Sequence, residues 1–105
     1  MHWHKKLYFN DGIKDKKKIV KNVKKGKLQF SAFVITLPSG NDGILEIYPS
    51  YVLLQPAYKS MELYVIGIAD DREAALELVS KIVMECYKAT GNFNISDYIR
   101  KVEGQ

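Results

Sequence analysis

The feature that most constrains the fold is a long amphipathic segment near the C-terminus, DDREAALELVSKIVMECYKATG, residues 70–91. Its apolar residues recur at spacings of three and four, as on one face of a helix. They are Ala75, Leu76, Val79, Ile82, Val83 and Cys86. Asp70 with Glu73 fits a capping box, and Gly91 suits the helix end. The preceding apolar run, MELYVIGIA, is typical of a strand, so the two segments predict a long helix packed on a sheet.

The sequence also predicts two more strands and two short helices. LQFSAFVITLP is rich in β-branched and aromatic residues, and ILEIYP follows the turn-forming residues SGNDG, so together they predict an antiparallel hairpin. SYVLLQPAYKS is ambiguous: Ser50 can cap a helix, Pro56 would end one, and the apolar content also suits an edge strand. We favour a helical turn or short helix there. NFNISDYIRKVEGQ predicts a short helix that begins near Ser96.

A lysine-rich helix is predicted before these elements, in IKDKKKIVKNVKKGK, residues 13–27. On a helical projection its apolar residues form one stripe, and six lysines lie nearly opposite. The stripe consists of Ile13, Ile19, Val20 and Val23, and the lysines are Lys14, Lys17, Lys18, Lys21, Lys24 and Lys25. Asn10 or Asp11 can cap the helix, and Gly26 suits the left-handed position beyond its end.

These elements predict a single α+β domain over residues 1–105, with the order α, β, β, short α, β, α. The domain has two layers, in which the lysine-rich helix and the long C-terminal helix cover a small, mostly antiparallel three-stranded sheet. The strand order stays open, because a crossover would make the second and third strands parallel. We expect residues 1–9 and 102–105 to be flexible.

Several functional classes lack their sequence signals. No apolar run reaches the length of a membrane span, and no signal region begins the chain. Cys86 is the single cysteine, which favours a reducing cytoplasm. His2 and His4 lie at the expected mobile end, where a general base or a metal ligand is poorly placed. We therefore expect a soluble cytoplasmic protein that is not an enzyme, with no cofactor, no metal and no membrane partner.

The charge distribution suggests a partner. The net charge is +4, but residues 1–27 carry ten lysines against two aspartates, while the remainder is acidic. The six lysines of the helix could therefore contact nucleic acid, another polyanion or an acidic protein, unless they are simply a solvated face. The first hypothesis is an accessory or regulatory binding module that uses this helix.

The alternative is a self-associating protein, a homo-oligomer, that uses a tyrosine-rich segment, residues 48–58. Tyr48, Tyr51, Leu54 and Tyr58 are its candidate interface residues, because tyrosine is common at protein contacts. In that hypothesis the lysines only keep the protein soluble.

Most of the chain resembles a group of small uncharacterised proteins of gut Gram-positive bacteria. The resembling stretches are KKKIVKNVKKGKLQFSAFVITLP, ILEIYPSYVLLQPAYK and YVIGIADDREAALELVSKIVMECYKATGNFNISDYI. The resemblance implies a single intracellular domain and carries no known activity, cofactor or catalytic residue.

Overall fold

The computed structural model describes residues 2–26, 32–38, 45–59 and 61–103. These form a small compact α+β domain with a four-stranded mixed sheet and four α-helices. The elements in chain order are β1 (His2–Phe9), α1 (Lys16–Lys24), β2 (Phe33–Thr36), β3 (Glu46–Pro49), a 3₁₀ helix (Ser50–Leu54), α2 (Pro56–Lys59), β4 (Tyr64–Ala69), α3 (Arg72–Thr90) and α4 (Ile95–Glu103).

The sheet has one strand more than the sequence predicts. Its strand order is β1-β4-β2-β3, with β1 parallel to β4 and the other two pairs antiparallel. Residues 1–9, which we expected to be flexible, contain the edge strand β1, and the backbone N–H of His2 donates to the carbonyl of Leu63 (2.7 Å). The prediction failed because Lys5 and Lys6 interrupt the alternation of buried side chains that identifies a strand.

Helices cover both faces of the sheet, so the predicted two-layer arrangement is wrong. Neighbouring residues of the same strand belong to different core clusters. On one face of the sheet, Ile35 of β2 and Ile66 of β4 pack with α3 and α4. On the opposite face, Val34 and Val65 pack with side chains of α1, the 3₁₀ helix and α2. This three-layer arrangement uses the two-residue period of a strand, which sends successive side chains to opposite faces.

The structure contains the predicted hairpin and shows the conformation of the central segment that was ambiguous from sequence. β2 and β3 pair antiparallel in a regular register, from Phe33 with Pro49 to Thr36 with Glu46. The predicted turn SGNDG lies outside the described residues. Residues 50–59 form the 3₁₀ helix and then α2, with a break at Gln55 before the proline. The short-helix interpretation is therefore confirmed.

Helix α1 begins later than the sequence predicts. Asp15 is its N-cap residue and its carboxylate accepts from the backbone N–H of Lys18 (3.0 Å), so Asn10 and Asp11 do not cap it. The side chain of Asp15 satisfies a donor that the first turn leaves free. Gly26 has a φ of 72°, as predicted for the position beyond the helix end.

The N-cap of α3 also differs by one residue from the prediction. Asp71 caps the helix by accepting from Ala74 N–H (2.7 Å). Asp70 instead pairs with Asn10: Asn10 Nδ2 donates to Asp70 Oδ1 (2.8 Å), and Asp70 N–H donates to Asn10 Oδ1 (3.0 Å). This pair ties the loop after β1 to the loop after β4. Gly91 ends the helix with a φ of 77°, as predicted.

The buried face of α3 differs from the predicted stripe by one leucine. The buried residues are Ala75, Leu78, Ile82 and Cys86. Leu76, predicted to face the core, is 53 % exposed, and Leu78 takes its place.

Within the described residues, no helix is long and apolar enough to span a membrane.

Candidate functional site

Helix α1 lies along the edge strand β1 and runs in the opposite direction. The side chain of Val23 packs into the cluster that contains Trp3 and Leu7 of β1. The Lys16 ammonium lies 5.4 Å from the Phe9 ring centroid, and the Lys24 ammonium lies 5.1 Å from that of Trp3. These contacts place the first turn of α1 at the end of β1 and the last turn near its start.

An open groove of about 570 Å³ lies between α1 and the end of β1. Its lining residues are Phe9, Lys16, Lys17, Val20, Lys21, Lys24 and Lys25. We call it the lysine groove. Phe9 and Val20 give it an apolar surface, five lysines surround that surface, and no described carboxylate lines it.

The structure separates the six predicted lysines into two sets. Lys17, Lys21, Lys24 and Lys25 line the lysine groove. Lys14 and Lys18 line a different depression, on the other side of α1, which also contains the carboxylate of Asp70. The candidate polyanion site therefore holds four of the six, and the other two face a local negative charge.

The sequence analysis missed two residues of the groove. Lys16 falls within the apolar stripe of a helix that starts at Ile13, so it was not counted among the lysines; in the structure it opens α1 and lines the groove. Phe9 belongs to the segment that we expected to be flexible. The available signal for β1 was the two-residue periodicity of WHKKLYF, residues 3–9. That periodicity is weak because it is interrupted by Lys5 and Lys6, both of which are exposed in the structure.

The groove lysines are available to an external anion. All five are exposed, and none of them forms an ion pair with a described residue. Within the described residues, the side chains of Lys16 and Lys24 contact the two aromatic rings. Within the described part of the molecule, the acidic remainder of the chain therefore supplies no ion-pair partner to these lysines.

The tyrosine-rich segment contributes mainly to internal packing. The rings of Tyr48 and Tyr58 meet edge to face (5.7 Å between centroids), and both pack against the core cluster under α1. Leu54 is half-buried, and Tyr51 is 40 % exposed. Of the four predicted interface residues, only Tyr51 is an exposed aromatic residue in the structure.

His4 is buried and is not at a mobile end. It is 3 % exposed, and its Nδ1 accepts from the backbone N–H of Lys6 (3.0 Å). Nε2 therefore carries the proton and donates to the carbonyl of Ile99 (3.1 Å). The ring joins β1 to α4. Among the described residues, no three His, Cys, Asp or Glu side chains are placed to hold a metal ion.

Tyr8, Tyr48 and Tyr98 have raised pKa values. Burial and a hydrogen bond to Glu85 hold the pKa of Tyr8 well above its usual range. Burial, followed by the negative charge of Glu85, also raises the pKa of Tyr98. A hydrogen bond to Glu46, followed by burial, raises the pKa of Tyr48 to about 12. These hydroxyls stay protonated near neutral pH and act as donors to carboxylates, which is a structural role.

No protein-family model, no curated protein and no solved structure matches this chain. The resemblance to small proteins of gut Gram-positive bacteria and the cytoplasmic location stay predictions.

Proposed function

We propose that the protein is a small non-enzymatic accessory module that binds single-stranded nucleic acid in the lysine groove. The observation that supports this proposal most is the composition of the groove, which is lined by five lysines and the ring of Phe9 and by no described carboxylate. Charge and an aromatic ring in one groove are the two elements of sequence-independent single-strand binding.

The lysines account for affinity. A flexible strand laid along α1 would bring successive phosphates close to Lys17, Lys21 and Lys24, which recur at spacings of three and four on the same side of the helix. Neutralising phosphates releases condensed counterions, so binding weakens as salt is added. Four contacted phosphates correspond to a slope of about −3 in a plot of log K against log salt for a single strand.

The aromatic residue favours a single strand over a duplex. Phe9 is half-buried, so part of its ring is accessible from the groove. Unpaired bases can stack on such a ring, whereas the bases of a duplex are already stacked on each other. Arginine, which reads base edges bidentately, does not line the groove, so we expect little sequence preference.

The test is fluorescence anisotropy of labelled single-stranded and duplex oligonucleotides, titrated from about 20 to about 200 mM salt. The double variant Lys17→Gln/Lys21→Gln should reduce the slope by about 1.4, since each lost phosphate contact removes about 0.7. Phe9→Ala should weaken single-strand binding about tenfold with an unchanged slope, because the lost interaction is stacking.

Lys14→Gln/Lys18→Gln is the matched control. It removes the same charge from α1 and the residues just before it, but from the depression beside Asp70, so binding should fall less than about threefold. Equal effects of the two double variants would contradict a groove-specific site, and no binding at the lowest salt would contradict the proposal altogether. Circular dichroism of each variant checks that α1 is retained.

The alternative function, self-association through residues 48–58, has less support. Its specific observation is the exposure of Tyr51, while Tyr48 and Tyr58 are engaged within the core. Under this alternative, Tyr51→Glu reduces a concentration-dependent mass and leaves the fold intact.

A further inference from the structure

Helix α3 carries a second apolar stripe beside the face that packs on the core. Leu76, Met84, Tyr87 and Phe93 are between 45 % and 58 % exposed, which is unusual for four large apolar side chains in one region. Leu76 and Tyr87 lie on the same helical face as half-buried Val83. We call these five residues the outer stripe.

The C-terminal part of the outer stripe contains a stacked aromatic pair. The ring of Phe93, just beyond α3, stacks on that of Tyr87 with 4.8 Å between centroids and 15° between planes. Val83 also contacts the core cluster, so the stripe adjoins the packed interior. Ser80 lies on the same face near the middle of the helix, where a small side chain allows a second helix to approach closely.

The net charge beside the stripe changes sign along the helix. Two acids and one base, Glu73, Glu77 and Arg72, lie in the N-terminal half, whereas two bases and one acid, Lys81, Lys88 and Glu85, lie in the C-terminal half. The carboxylate of Glu85 accepts a hydrogen bond from Tyr8. Glu73, Glu77, Lys81 and Lys88 are exposed, and none of these four forms an ion pair with a described residue. A parallel copy of the helix would place acid against acid, whereas an antiparallel copy places acid against base.

We propose that the outer stripe is a self-association surface, in which α3 of one molecule packs antiparallel against α3 of a second copy. The two-fold axis passes beside Ser80, so Glu73 of each copy approaches Lys88 of the other. Such an interface is isologous, and each contact occurs twice. The surface differs from residues 48–58, so this inference is independent of the lysine groove and of the alternative above.

The size of the stripe predicts a weak dimer. A helix of 19 residues is about 28 Å long, and one helix pair buries less surface than the roughly 1,200–2,000 Å² of a standard interface. We therefore expect a dissociation constant on the order of 10–100 µM. Sedimentation equilibrium from about 5 to about 500 µM covers that range.

The deciding experiment is a charge exchange across the interface. Lys88→Glu should weaken the dimer about tenfold, because it turns two symmetry-related attractions into repulsions. Glu73→Lys should do the same, and the double variant Glu73→Lys/Lys88→Glu should restore the affinity to within about threefold. Only an antiparallel pairing of the two sites predicts that rescue.

Met84→Glu tests the apolar part and should give a monomer at every concentration, with an unchanged circular dichroism spectrum because the side chain is exposed. Lys101→Glu on α4 is the matched control for charge reversal at an exposed lysine and should leave the dimer intact. A wild-type monomer at 500 µM, a dimer that resists Met84→Glu, or one lost in Tyr51→Glu but not in Met84→Glu would each overturn the proposal.

Discussion

Replacing His4 with alanine should cost about 3 kcal/mol of folding free energy. The substitution leaves the Ile99 carbonyl without its donor and the Lys6 N–H without its acceptor, both within a buried or half-buried region. A fully buried polar group left unpaired costs about 1–3 kcal/mol, and the loss of the second, part-buried bond adds about 1 kcal/mol. The missing ring also leaves space between β1 and α4, which adds to the cost.

Urea denaturation followed by circular dichroism measures this loss. With a slope of about 1.5 kcal/mol per molar urea, 3 kcal/mol lowers the midpoint by about 2 M. His2→Ala is the matched control in the same strand. The His2 ring is exposed and lies 4.4 Å from the Tyr64 ring at a tilt of 37°, so we expect a loss below about 1 kcal/mol. Equal midpoints for His4→Ala and the wild type would refute the conclusion that the buried ring joins β1 to α4.

Two further predictions concern pH and the loop contact. The pKa of Tyr48 is raised by Glu46 and burial to about 12, so its contribution to stability is complete below the unfolded-state value near pH 10 and is lost as pH rises towards 12. Stability should therefore fall less steeply between pH 10 and 12 in Tyr48→Phe, and parallel profiles would contradict this assignment. Asn10→Ala should cost about 1–2 kcal/mol, because it removes both hydrogen bonds to Asp70. A thermal midpoint equal to that of the wild type would show that the loop pairing contributes nothing.

The sequence predicted the elements whose pattern is local. The helix around Ile82, the strand before it and the hairpin are each defined by a periodicity that a short window contains. The start of α1 was harder, because Asn10, Asp11 and Asp15 are all competent caps and only Asp15 accepts from the first turn. Choosing among them requires the path of the chain after β1.

The lysine groove could be predicted only in part, because it depends on a non-local contact. The sequence identified the basic face of α1, but Phe9 enters the groove through the pairing of β1 with β4, whose sequence partner lies far along the chain. The same strand pairing places His4 in the interior. Lys5 and Lys6 interrupt the alternation in which Trp3 and Leu7 face one side of β1 and His4 and Tyr8 face the other. The sequence therefore did not indicate that these residues belong to one strand.

The parallel pairing of β1 with β4 also sets the order in which the protein can mature during synthesis. His2 pairs with Tyr64 and Phe9 with Ile68, so the first strand leaves the ribosome well before its hydrogen-bonding partner exists. The basic helix that follows is likewise made before the sheet that supports it. Contacts so distant in sequence slow folding, because a long loop must close first. Stalled nascent chains should therefore gain protease resistance only after Ala69 has emerged from the exit tunnel.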